Sequence, residues 1–157
     1  MELLLIRHGK AEDHGHPQGD GARDLTEKGR TQSRKVGEFL KEHELVPDLA
    51  LTSPLIRAHR TAEIVCETCG ADPPVVEGWL ACGMSPGEAL KELGAYRDTC
   101  NRVAIFGHEP DFSMLAEHVI GAHPGGIRVK KASVILLDLD PPRREGTMQF
   151  NLWPSQL

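Results

Sequence analysis

Three short apolar runs, spaced roughly fifty residues apart, each lead directly into a polar motif. Leu3-Leu4-Leu5-Ile6 precedes Arg7-His8-Gly9, Leu49-Ala50-Leu51-Thr52 precedes Ser53-Pro54-Leu55-Ile56-Arg57, and Val103-Ala104-Ile105-Phe106 precedes Gly107-His108-Glu109-Pro110. Short, unbroken apolar runs bounded by glycine or proline are the mark of strands covered on both faces. Parallel strands need crossovers, and each run is followed by a segment long enough to be a helix. If the three runs are neighbouring parallel strands, two histidines and two arginines meet at one sheet edge. In open sheets of this kind ligands sit beyond the carboxyl ends of the strands.

The intervening segments support the same alternation. Thr26 can cap a helix over about 27–42, with Gln32, Val36, Phe39, Leu40 and His43 on one side. Pro54 or Leu55 can open a second, with Ala58, Ala62, Val65, Cys66 and Cys69 as its apolar stripe. Ser85 and Pro86 suit the cap and first turn of a third that carries Ala89, Leu90 and Leu93. Pro110 can open a fourth, with Phe112, Leu115, Ala116 and Val119 inward and Gly121 as its stop. Val134–Leu139 reads as another buried strand, and Thr147–Trp153 alternates enough to be an antiparallel edge strand. The Asp72-Pro73-Pro74 and Asp140-Pro141-Pro142 stretches read as turns. The expected fold is therefore α/β, a three-layer α/β/α sandwich around a mostly parallel sheet. All 157 residues are expected to form one domain, with no separate cap domain.

A net charge of −5 gives no electrostatic footprint for nucleic acid. The only apolar run near the N-terminus, Leu3 to Ile6, is too short for a signal peptide or a membrane span, so a cytoplasmic location with no membrane partner is expected. Cys66-x-x-Cys69 has ligand-like spacing, but Cys82 and Cys100 are eighteen residues apart and the first pair falls on a buried stripe. Packed, reduced thiols are the expectation. His14 and His16 lie in a glycine-rich stretch that reads as a mobile loop near the site, and Arg128, Lys130 and Lys131 read as a solvated rim, with partner docking the sharper alternative.

Arg7-His8-Gly9, Leu25-Thr26-x-x-Gly29, Ser53-Pro54-Leu55-x-Arg57-Ala58-x-x-Thr61-Ala62 and Gly107-His108-Glu109-Pro110 together resemble the signature set of the histidine phosphatase superfamily, whose fold is phosphoglycerate mutase-like. The short length and Lys130-Lys131-Ala132 ahead of a strand are similar to its SixA-type phosphohistidine phosphatases. The resemblance implies that His8 is a nucleophile taking up a phosphoryl group, with Arg7, Gly9, Arg57 and His108 binding its oxygens.

Residue chemistry fits that implication. Guanidinium forks stay charged and match pairs of phosphoryl oxygens. Lying beside His8 they also disfavour its imidazolium form, leaving a lone pair for attack. A backbone carbonyl near Gly9 is expected to fix the His8 tautomer, and Thr26 and Gly29 are expected to form only a helix entrance. With two arginines and His108 supplying positive charge, neither metal nor cofactor is expected.

Many relatives with alcohol-derived substrates use a carboxylic acid from the segment before the third helix. Here only Glu77 and Glu88 are candidates, and neither is clearly placed. Imidazole leaves without an acid's help more readily than an alkoxide does, so the expected substrate is a phosphorylated histidine of a signalling or phosphotransfer protein. A small-molecule phosphomonoesterase and a catalytically silent phosphate-binding module are the alternatives.

Overall fold

A computed structural model describes residues 1–157. Its strands are β1 (Glu2–Arg7), β2 (Leu49–Thr52), β3 (Val75–Val76), β4 (Arg102–Gly107), β5 (Val134–Leu139) and β6 (Gly146–Leu152), and its helices are α1 (Glu27–Glu42), α2 (Ile56–Cys69), α3 (Pro86–Leu93) and α4 (Asp111–Ile120). The six strands form one sheet in the order β3-β2-β4-β1-β5-β6. The β1, β2, β3 and β4 pairings are parallel, whereas β5 runs antiparallel to both β1 and β6. The three apolar runs are thus adjacent, with β4 in the middle.

Strand alternation divides the core in two. Leu3 and Leu5, Leu51, Val103 and Ile105, and Ile135 and Leu137 face α3 and α4, where they meet Leu90, Leu93, Phe112 and Leu115. Leu4 and Ile6, Ala50, Ala104 and Phe106, and Val134 and Leu136 face α1 and α2, against Val36, Leu40, Ala62 and Val65. Successive side chains leave a strand on opposite faces, so a continuous apolar run is what two covered faces demand. The three-layer sandwich follows.

The caps fall where hydroxyl residues suggest them. Thr26 Oγ1 accepts from Gly29 N at 3.1 Å, and Ser85 Oγ from Glu88 N at 3.2 Å. Leu55 is the residue before α2, Pro110 the one before α4, and Gly121 ends α4 with φ 70. Cys66 and Cys69 are buried in the second core.

Three details differ from the sequence expectations. The buried stripe of α1 is Gly29, Ser33, Val36, Gly37 and Leu40, while His43 is exposed and Gln32 and Phe39 are half-buried. The rotation brings Gly37 against α2 so closely that a Cβ there would lie 2.5 Å from Thr68 Cβ. The strand β3, next to the Asp72-Pro73-Pro74 turn, is a two-residue edge piece too short to show periodicity. Thirdly, the glycine-rich segment is closed at its base by the Ala11–Leu25 bridge and by Glu12 N donating to Asp24 O at 2.8 Å, so it is a tied loop. No helix is long and apolar enough to cross a membrane.

Candidate active site

Register brings the three motifs level. Arg7 pairs with Gly107 and Thr52 with Phe106, so His8, Ser53 and His108 each stand one residue past the end of a strand. The ladder continues that one step: His8 N donates to Gly107 O at 3.1 Å and Ser53 N to Phe106 O at 3.0 Å. On the other side of β1, the Ala132 amide donates to both Arg7 O (3.1 Å) and His8 O (3.0 Å). The backbone of the proposed nucleophile is therefore gripped from both flanks.

The rings of His8 and His108 lie 5.4 Å apart, tilted by 54°. The Nδ1–H of His8 donates to Gly9 O at 2.7 Å, which leaves Nε2 with the lone pair. Burial, helped by His108 and the charges of Arg57 and Arg7, lowers the His8 pKa to about 3, against the opposing hydrogen bond to Gly9. Burial, followed by Arg57 and then Arg7 and Arg23, lowers that of His108 to about 4, with Asp20 opposing. Both rings are thus neutral near pH 7.

Gly9 is where a side chain cannot go: a Cβ there would lie 2.6 Å from Gly29 O, and one on Gly29 would lie 2.1 Å from Lys10 O. The two glycines let the first turn of α1 press against the segment after β1, and Thr26 N and Oγ1 both donate to Lys10 O. Thr26 and Gly29 thus do more than start a helix. Gly9 N donates to Thr61 Oγ1 at 3.1 Å, and Gly9 O receives the His8 proton. Both backbone groups of Gly9 are thus engaged within the protein, the carbonyl on the His8 ring and the amide on Thr61.

Arg57 sits in the first turn of α2, where Thr61 Oγ1 donates back to its carbonyl at 2.8 Å. Its guanidinium, only 4 % exposed, donates from one terminal nitrogen to Asp20 O (3.0 Å) and from the other to Asp20 Oδ2 (3.1 Å). Asp20 also accepts from Arg23 Nε at 2.8 Å, and these two guanidinium groups hold its carboxyl below the usual range. Arg7 donates from a terminal nitrogen to Val129 O at 2.9 Å. His108 Nε2 lies 2.8 Å from Ser53 Oγ, whose oxygen also accepts from Leu55 N.

Arg7 Nε, Arg57 Nε and His108 Nδ1 are buried with no partner. Buried donors are rarely left so, and these three belong to residues whose charges act on one another around the two rings, where an oxyanion is the complementary ligand. For His108 this requires the Nδ1–H tautomer, with Ser53 O–H donating to Nε2.

Neither Glu77 nor Glu88 bears on this cluster. Glu77 is half-buried and its charge acts on Tyr96, and Glu88 is exposed on the first turn of α3. Besides Asp20, which bonds Arg57 directly, the carboxyl near the cluster is Glu109, half-buried, its charge felt by Arg7 and its pKa raised by burial against hydrogen bonds from Ser113. Ser53, Thr61 and Glu109 belong to the quoted motifs, but the sequence assigns them no role at the site; for Asp20 nothing local announces the contact.

Comparison with known proteins identifies the family and the fold. The histidine phosphatase superfamily (branch 1) model matches residues 3–81. An uncharacterised protein of Picosynechococcus sp. is 37 % identical over 138 residues, covering 86 % of this chain and 83 % of that one. A 2,3-bisphosphoglycerate-dependent phosphoglycerate mutase of Rhodococcus opacus is 40 % identical over 80 residues, which span 49 % of this chain but 32 % of the mutase. Among solved structures, the protein histidine phosphatase SixA complexed with tungstate superposes with a TM-score of 0.89 at 24 % identity, over 99 % of this chain and 98 % of that one. The chain belongs to the histidine phosphatase superfamily.

Proposed function

We propose that this protein hydrolyses phosphohistidine on a signalling or phosphotransfer protein, with His8 as nucleophile. The observation that carries the reading is the partnerless trio of Arg7 Nε, Arg57 Nε and His108 Nδ1 beside a neutral His8 of fixed tautomer. The Nε2 lone pair attacks phosphorus, forming a nitrogen–phosphorus bond as the donor imidazole–phosphorus bond breaks. Arg7, Arg57 and His108 stabilise the charge on the three equatorial oxygens in passage. Water then attacks phosphorus, the bond to His8 breaks, and inorganic phosphate leaves. Once its other ring nitrogen has taken a proton from solvent, the donor imidazole keeps the electron pair of the broken bond and departs as a neutral base, so no carboxylic acid is required. The similarity to SixA in fold and extent supports this substrate class.

The test is incubation with a panel of phosphohistidine-carrying phosphotransfer proteins, following loss of label and trapping an acid-labile, alkali-stable phospho-enzyme. Both signals are expected to vanish in His8→Ala, and turnover retained by that variant would reject the nucleophile assignment.

One observation favours a second reading, a phosphomonoesterase for small alkyl phosphates. Glu109, its pKa raised and its charge felt by Arg7, is the carboxyl fit to protonate an alkoxide. On that reading Glu109→Gln abolishes alkyl phosphate hydrolysis; on ours it spares phosphohistidine hydrolysis.

A further inference from the structure

Beside the His8 cluster, and sharing Arg7 with it, lies an open groove of about 640 Å³. Its cations are Arg7, Lys10, Lys28, Lys35, Lys130 and Lys131, and no carboxylate is among its lining residues. None of the six is in an ion pair, whereas Arg23, Arg30, Arg34, Arg57, Arg60 and Arg102 all are. Burial and the charges of Arg7, Arg23 and Lys10 depress the Lys131 pKa, with Asp13 opposing, so these cations repel one another with little local compensation. The floor is apolar: Trp153 lines it with Val129 and Pro154, and the Lys130 ammonium stands 3.7 Å from the Trp153 ring centroid.

We infer that this groove docks an acidic polypeptide surface, that of the phosphohistidine-bearing substrate protein. The inference rests on the reading of function above and adds to it the chemistry of the partner. The whole chain carries −5, so with these six cations gathered on one side the remainder carries −11. Such a distribution favours approach of an acidic protein at the groove over the net-negative remainder, and turns it so that its phosphoryl group arrives beside Arg7.

Lys28, Gln32 and Lys35 form one stripe of α1, in which the two ammonium stems start about 10 Å apart along the axis. That spread suits carboxylates distributed over a folded surface. A compact polyphosphate would be better served by guanidinium forks and convergent backbone amides, and the groove offers one fork, Arg7, already donating to Val129 O. Lysines on flexible stems around an apolar floor suit a partner that docks quickly and leaves after one turnover.

The test uses the full chain with Lys28→Glu and Lys35→Glu together, both on the exposed face of α1 and outside the His8 cluster. Lys130→Glu serves as an independent second variant. Binding of a glutamate-rich peptide about a dozen residues long, free of phosphate, is read from Trp153 fluorescence in a Trp79→Phe background. The unaltered groove is expected to bind it with an affinity that falls as salt rises, and the double variant to bind it at least about tenfold more weakly. On a phosphohistidine protein, kcat/KM is expected to fall roughly tenfold with kcat unchanged, while hydrolysis of phosphoramidate stays as it was.

Equal peptide binding by parent and variants, or binding of inorganic polyphosphate but not of peptide, would overturn the inference. Peptide binding that is lost in the variants, in a protein that leaves every phosphohistidine carrier untouched, would uphold the groove and overturn the substrate reading. Phosphohistidine hydrolysis with no peptide binding would do the reverse.

Discussion

Acidification should destabilise this protein through two named rings. His8 is 6 % exposed and His108 2 %, and their pKa values are lowered to about 3 and about 4. In the unfolded chain both return to about 6.5. Between those values the unfolded state binds protons that the folded state refuses, so the stability gained by keeping the rings neutral is complete above about pH 6.5 and is lost as pH falls toward the folded values. At about pH 5 each ring has removed about 2 kcal/mol, together about 4 kcal/mol, a large fraction of the 5 to 15 kcal/mol typical of a domain.

The raised carboxyls of Glu109 and Asp111 act in the opposite direction, because the folded state takes up their protons first, but they do so in the lower, carboxylate range. The assay is urea unfolding followed by circular dichroism from about pH 8 down to about pH 5, on the parent chain and on His8→Asn/His108→Asn. The parent should lose about 4 kcal/mol over that range and the double variant little of it. Parallel pH profiles for the two proteins would refute the reasoning, whatever the offset between them.

Two further outcomes test the setting of the site. Gly29→Ala puts a methyl 2.1 Å from Lys10 O, so backbone must move; a loss of about 3 kcal/mol, or a melting temperature lower by about 10 °C, is expected, and unchanged melting would contradict the close approach. Asp20→Ala removes the carboxylate that occupies Arg57 in competition with an oxyanion, so calorimetry should show inorganic phosphate binding several-fold more tightly, and weaker binding would show that Asp20 orients Arg57 for the ligand.

What could be read in the sequence was what neighbouring residues decide. The runs Leu3-Leu4-Leu5-Ile6 and Val103-Ala104-Ile105-Phe106 reveal two-sided burial because alternation itself does the sorting, and Thr26 and Ser85 reveal helix starts because a cap acts over three residues. Contacts set by the close approach of distant segments left no such trace. Gly29 and Gly37 draw the buried face of α1 away from its most apolar side, since a missing Cβ lets another element in; composition alone cannot distinguish that from a weak helix position. The Asp20 bond to Arg57 spans 37 residues, and a loop rich in glycine gives no period from which to infer it. Ser53 was in view as part of a motif, yet its hydrogen bond to His108 needs the aligned ends of β2 and β4 to be intelligible.

The double donation from Ala132 N to Arg7 O and His8 O fixes the backbone of the candidate site without calling on the side chains that precede Ala132. Under the proposed function this leaves the side chains at positions 130 and 131 free to serve docking, although they belong to the same short segment. On that reading recognition and reaction can diverge separately over evolutionary time: new lysine patterns would retarget the protein to other carriers while the proposed nucleophile keeps its footing.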